Sequence, residues 1–171
     1  MSEFIIKGKA FPLLDGDGAL VNNIDTDMIF HNKWLHITKL EEMGQYALGN
    51  LKGFEDFPKR VQPGMWVVAG RNFGAGSSRQ QAVDCFKALG CVGVIAISVA
   101  PIYLRNAINA GLPIAQVPLL AGLVQDGDEL ALDMEASTLT IARTGSFVSA
   151  DPPISSVQRE IFVAGGLMRL G

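Results

Sequence analysis

Apolar and polar positions divide the chain into short segments of two periods. The first strand is predicted over Phe4 to Ala10, and Asp15-Gly16-Asp17-Gly18 reads as a turn that closes a hairpin. A polar loop, Asn22-Asn23-Ile24-Asp25-Thr26-Asp27, ends in the apolar pair Met28-Ile29. Thr38 with Glu41 three residues on has the form of a capping box for a helix from Lys39 to about Leu48. Glycines, prolines and mixed charges from Asn50 to Pro63 predict irregular structure. The central stretch is strand, glycine loop, helix, strand: Trp66 to Ala69, Gly70 to Ser77, Ser78 to Leu89, Cys91 to Ile97. That order is a βαβ unit with a right-handed crossover. A helix from Ile102 to Ala110 stops at Gly111, and Pro113 to Val117 supplies another strand.

The final third alternates instead. Glu129 to Met134 and Thr138 to Ala142 have the period of half-buried strands around a turn at Glu135-Ala136-Ser137. Asp151-Pro152-Pro153 ends the sheet, and Ile154 to Leu170 carries Ile154, Val157, Ile161, Phe162 and Leu167 on one face of a terminal helix. The sum is an α/β chain with a mixed sheet and flanking helices, because a hairpin follows the βαβ part.

Composition narrows what such a chain does. Its 171 residues are 49% apolar and 18% charged, enough for one substantial core in one domain. A net charge of -3 with no basic block or stripe argues against nucleic-acid and membrane-surface partners. No signal peptide is legible at the N-terminus, and the apolar run from Cys91 to Leu104 is interrupted by Ser98 and Pro101, so a cytoplasmic protein is expected. The two cysteines, Cys85 and Cys91, lie in apolar surroundings without metal-ligand spacing.

The candidate chemistry sits in Gly70-Arg71-Asn72-Phe73-Gly74-Ala75-Gly76-Ser77-Ser78-Arg79. Glycines let the backbone approach a ligand, a helix beginning at Ser78 would aim its amides and dipole at an anion, and Arg79 can fork onto a carboxylate or phosphate. A nucleotide loop fits poorly: a phosphate-binding loop needs a lysine where Gly76 stands, and a dinucleotide fingerprint needs glycine where Arg79 stands. A phosphate-binding or nucleotide-binding module stays open beside a small-carboxylate site, as does a glycine turn whose arginine pairs with a nearby aspartate. Asp25-Thr26-Asp27 reads as an Asx turn, and Asp27 is placed to hold Ser77 or an arginine if the two loops meet. Arg105, Asn106 and Asn109 read as a solvated helix face or a pocket rim.

Taken in order, Asn22 to Asp27, Asn72 to Arg79, and Arg105-Asn106-Ala107-Ile108-Asn109-Ala110-Gly111-Leu112-Pro113 resemble the signatures of the small subunit of 3-isopropylmalate dehydratase. That family is the separate-chain counterpart of the swivelling C-terminal domain of aconitase. The resemblance implies a single swivelling β/β/α domain over residues 1–171. It also implies a hydro-lyase that interconverts 2- and 3-isopropylmalate in leucine biosynthesis by dehydration and rehydration. Ser77 carries over as the base and Asp27 as the active-site acid of the first motif. Ser78 and Arg79 carry over as contacts to the substrate carboxylate, with Asn72 and Gly76 in the same loop.

The resemblance further implies a 4Fe-4S cluster as Lewis acid. Such a cluster takes three thiolates against the two cysteines here, so none is expected on this chain and the cluster belongs to a large-subunit partner. The substrate is then a small di- or tricarboxylate in a cleft between the chains, and a homo-oligomer of the isolated chain stays open. Two departures stand out. Gln80-Gln81 replaces the Glu-His that follows the arginine in many relatives. Trp34-Leu35-His36 stands where several archaeal relatives have Tyr-Leu-Arg against the variable end of the substrate, and it suits a branched alkyl group better than a distal carboxylate. Homoaconitase and citraconate or dimethylmalate hydro-lyases are the related alternatives. Trp34 and Leu35 as plain core, with His36 on the surface, is the other reading of those residues.

Overall fold

A computed structural model describes residues 4–170. Strand β1 runs over Ile5–Pro12, followed by the single-turn helices α1, Thr26–Ile29, α2, Leu40–Met43, and α3, Phe57–Arg60. Then come β2, Trp66–Ala69; α4, Gln81–Ala88; β3, Gly93–Ala96; α5, Pro101–Ala110; and β4, Ile114–Gln116. The chain finishes with β5, Glu129–Asp133; β6, Thr138–Ile141; β7, Ser146–Ser149; and α6, Ser156–Ala164.

One sheet orders the strands β4-β3-β2-β1-β5-β6-β7. β1 is the seam. Its last residues, Ala10 to Pro12, pair in parallel with Trp66 to Val68 of β2, and its first five, Ile5 to Lys9, pair antiparallel with β5. Every residue of β2 and β3 is buried, as expected of parallel strands covered on both faces, whereas β5 and β6 alternate. Edge-on aromatic pairs run from β1 toward the glycine loop: Phe11 on Phe57 at 4.9 Å, Phe57 on Phe86 at 6.0 Å, and Phe73 on Tyr103 at 5.2 Å. Each such pair contributes about 1 kcal/mol beyond its buried area. No helix of the described residues is long and apolar enough to cross a membrane.

Several local expectations are corrected. The helix expected from Lys39 to Leu48 is one α-turn capped at Lys39 without a side-chain bond, then a 3-10 turn over Gly44–Tyr46. Thr38 therefore builds no capping box. Gly44 lies against Leu89, where even a Cβ would stand 3.0 Å from the leucine side chain, and the chain is pinned there. The segment expected to be irregular carries α3, which has Pro58 in its first turn. The terminal helix stops early, at Gly165 with φ 87°, after a capping box formed by Ser155 and Gln158 that the sequence reading did not include. β7 was not expected at all. The turn at Asp15 to Gly18 does form, closed by the Leu14 and Leu20 bridge.

The most consequential correction concerns the helix after the glycine loop. α4 begins at Gln81, not Ser78. Residues 77–79 are drawn toward α1 by long-range contacts described below, so the support from a helix dipole expected at Ser77 lies beyond its range of about one turn.

Candidate functional site

Two loops meet at the carboxyl ends of β1 and β2, and the sequence of each explains the join. Asn23 and Asn72 both adopt left-handed backbone, φ 59° and 58°, which asparagine tolerates better than most residues. Asn22 Oδ1 accepts from the Arg71 amide at 2.7 Å, and Asn72 Nδ2 donates to Asn23 Oδ1 at 3.1 Å. The Gly74 amide donates to the Ile24 carbonyl at 2.7 Å and the Thr26 amide to the Ala75 carbonyl at 2.8 Å, so the loops run side by side as a strip of parallel sheet. Phe73 is buried and anchors the strip in the core. Gly74, at φ 81°, lies against the Tyr103 ring so closely that a Cβ would collide with it.

Thr26 carries more of the geometry than the sequence reading assigned. It is buried, and its Oγ1 donates to the Ser77 carbonyl at 2.7 Å. Asp25 accepts from the Met28 amide at 2.8 Å, the Asx cap expected of it. Ser77 is thus fixed through its backbone, while its side chain stands on the exposed surface and no group among the described residues hydrogen-bonds its hydroxyl. Ser78 differs. Its Oγ accepts from Asn106 Nδ2 at 2.9 Å, which picks one member out of the polar face expected on α5. Arg105 and Asn109 remain on the exposed surface.

Arg79 and Asp27 meet, as the sequence reading allowed. Arg79 Nη1 donates to Asp27 Oδ1 at 3.3 Å and to the Phe30 carbonyl at 2.9 Å, and the arginine side chain is only 12% exposed. Its Nε is buried with no hydrogen-bond partner among the described residues. Asp27 also accepts from the Asn32 amide at 2.9 Å and from Asn50 Nδ2 at 3.1 Å. The Asn32 amide above all, then Arg79 and the nearby His31, hold the Asp27 carboxyl below its usual range against an opposing contribution from desolvation. Asp27 is therefore an ionised anchor for Arg79 at neutral pH. Asn50 had no signal in the sequence beyond its polarity.

The segment after α1 lies beside the start of α4. Gln81 Nε2 donates to the Leu35 carbonyl at 3.1 Å and the Ile37 carbonyl at 3.4 Å, which gives the departure at position 81 a definite contact. Gln80 instead reaches Asp84 at 3.2 Å along the helix. Trp34 stacks on Tyr46 at 4.3 Å and packs, like Leu35, against the core, whereas His36 is exposed. Asn72 and Gly76 are exposed on the loop itself. The arrangement is an open rim. A hollow of about 470 Å³ does open on the surface of the antiparallel half, but Lys7, Lys9, Glu129 and Thr140 line it and no motif residue does.

Among the described residues no three His, Cys, Asp or Glu side chains are grouped closely enough to hold a metal ion. Cys85 and Cys91 are buried, and desolvation pushes the thiol of Cys91 up to about 12 and raises that of Cys85 well above its ordinary value. Two buried thiols with no further ligand grouped beside them fall short of the three thiolates that the expected 4Fe-4S cluster takes, so the residues present do not fit one.

A model of the aconitase C-terminal domain matches residues 19–118, which include both loops and the α5 motif. The chain belongs to that family. Within it, the relatives are small subunits. The chain is 42% identical over 163 residues to the 3-isopropylmalate dehydratase small subunit of Pyrobaculum aerophilum, covering 95% of this chain and 94% of that protein. It is 41% identical over 164 residues to the isopropylmalate/citramalate isomerase small subunit of Methanocaldococcus jannaschii, covering 96% and 92%. The crystal structure of 3-isopropylmalate dehydratase from M. jannaschii superposes with a TM-score of 0.80 at 36% identity over 97% of this chain and 92% of that one. The aconitase-type fold expected from the sequence is the fold observed.

Proposed function

We propose that the chain is the small subunit of a heteromeric hydro-lyase that interconverts 2-isopropylmalate and 3-isopropylmalate, with Ser77 as the base and Ser78 and Arg79 as the carboxylate contacts. The observation that carries the reading is the joining of the Asp27 loop to the Ser77 loop. One pair of strand ends presents an exposed hydroxyl, a second hydroxyl with a fixed partner, and a guanidinium held by a carboxylate. These groups suit a small dicarboxylate: Ser77, having given up its own proton, takes a proton from carbon as the alkoxide and becomes the hydroxyl again, Ser78 donates to a carboxylate oxygen, and Asp27 holds Arg79 oriented for the same anion.

The chemistry also needs a way to assist departure of hydroxide from the neighbouring carbon. A 4Fe-4S cluster, held by a large subunit whose surface closes over the exposed rim, would supply a Lewis acid for that role. Excluding water there strengthens the interaction of the substrate with the fixed cation. Trp34 and Leu35, tied to α4 through Gln81, offer apolar surface for the branched alkyl end of the substrate. The assembled enzyme works in the cytoplasm.

The test is co-expression with cluster-bearing large subunits from the same genome, followed by an anaerobic assay of the copurified complex on a panel of malate derivatives. The reading predicts no turnover by either chain alone and highest kcat/KM for isopropylmalate in the complex. Preference for a tricarboxylate or a methyl-substituted malate would reassign the substrate. Binding of a nucleotide or inorganic phosphate by the isolated chain, with no activity in any complex, would replace the reading by a binding module.

A further inference from the structure

We infer that Asn106 is a positioning residue that sets the polarity of Ser78: by donating to Oγ it directs the serine proton outward, so that Ser78 meets the substrate as a donor. The inference rests on the proposed reading of the Ser77 to Arg79 loop as a carboxylate site.

α5 is held firmly against α4 and the glycine loop. Tyr103 is buried, donates from Oη to the Ala82 carbonyl of α4 at 2.7 Å, and packs its ring against Phe73 and Gly74 of the glycine loop. Asn106 follows three residues later, close to the same face one turn on, so its amide is delivered to the loop by an already fixed helix. The half-buried Asn106 then reaches Ser78 Oγ at 2.9 Å.

A serine hydroxyl has one proton and two lone pairs, and left alone it rotates to donate or accept. An amide N–H occupying one lone pair removes the choice of donating in that direction. Ser78 is exposed, so its proton turns to the open side, where a carboxylate ligand, which only accepts, needs a donor. Ser77 has no such partner among the described residues, and the two adjacent hydroxyls thereby acquire different duties: one oriented to donate, the other free to lose its proton and act as the alkoxide base.

Kinetics of the copurified heteromer test this with Asn106→Asp, Asn106→Ala and Ser78→Ala, alone and combined. Asp is nearly isosteric but accepts the Ser78 proton, so Asn106→Asp is expected to raise KM for isopropylmalate about tenfold with a smaller change in kcat, and Asn106→Ala less, about threefold. In the Ser78→Ala background, Asn106→Asp is expected to add less than twofold, which a merely structural role or a through-space charge effect would not produce. Equal losses for Asp and Ala, or a full Asp penalty without the Ser78 hydroxyl, would overturn the inference. If Ser78→Ala itself leaves KM unchanged, the carboxylate-site reading fails first. If Ser78→Ala raises KM while both Asn106 variants leave it unchanged, only the role of Asn106 fails.

Discussion

In the antiparallel half of the sheet, β5, β6 and β7 follow one another through the turn at Glu135 to Ser137 and the turn at Gly145, so β6 finds both its partners in neighbouring hairpins and only β5 reaches back, to the start of β1. In the parallel half, β1 to β4 are joined by crossovers, and the chain leaving each strand end must find partners far along the sequence. Thr26 holds Ser77 across 51 positions and Arg79 meets Asp27 across 52. Apart from the β1 and β5 pairing, the first half is built from local hairpins, and it contains none of the family motifs. The second leaves polar loops at its carboxyl ends and joins them by asparagine and threonine side chains, and the residues of the first two motifs sit on that join. Building a site this way requires loop backbone in unusual conformations, held by contacts a single substitution can remove.

The comparison is broken most strongly at its glycines. Gly74→Ala places a Cβ against the Tyr103 ring at φ 81°, and a loss of about 3 kcal/mol or more is expected in urea unfolding. Gly145→Ala meets no atom within 4 Å at φ 72°, so a loss of about 1 kcal/mol is expected from backbone strain alone. Equal losses would mean the join is no more demanding than the hairpin. Next in size, Asp27→Asn keeps the shape but removes the charge that holds Arg79, and kcat/KM of the heteromer is expected to fall about tenfold.

A pH series sharpens the same point with a smaller effect. The folded Asp27 carboxyl lies below its ordinary value of 3.8. Its contribution to stability is therefore present above that value and is lost as pH falls through the lowered one. The gap in urea midpoint between the wild-type chain and Asp27→Asn is expected to be present at neutral pH and to close in acid; a gap that widens in acid contradicts the anchor. Smallest of all, Phe147→Thr on the edge strand, where the residue is 73% exposed, is expected to stay within about 0.5 kcal/mol of wild type in thermal unfolding.

How much was legible follows the same division. Alternation over Glu129 to Met134 and the apolar runs at Trp66 to Ala69 and Cys91 to Ile97 located strands because burial on one face or two leaves a period in the sequence. β7 escaped because its four residues pair only with β6 and alternate between exposed and half-buried positions, leaving no apolar face to read. The motif residues stood out in the sequence, and Arg79 was one of the two partners it left open for Asp27. The helix start at Gln81 was not, because Ser77 is spent on Thr26, and no local pattern reports a contact 51 positions away. Asn50 was unassigned, and the contacts of Gln81 and Asn106 were not legible, for the same reason: each acts through a partner distant in sequence.

In the proposed mechanism Ser77, as the alkoxide, takes the proton from carbon while the rest of the join holds substrate. The most direct test of that step is the anaerobic turnover of isopropylmalate by a heteromer containing Ser77→Ala, with cluster content and subunit ratio measured on the same sample. The account predicts a fall in kcat of about 10²- to 10⁴-fold, with KM, cluster content and assembly unchanged. A Ser77→Ala heteromer that keeps more than about a tenth of wild-type kcat contradicts it.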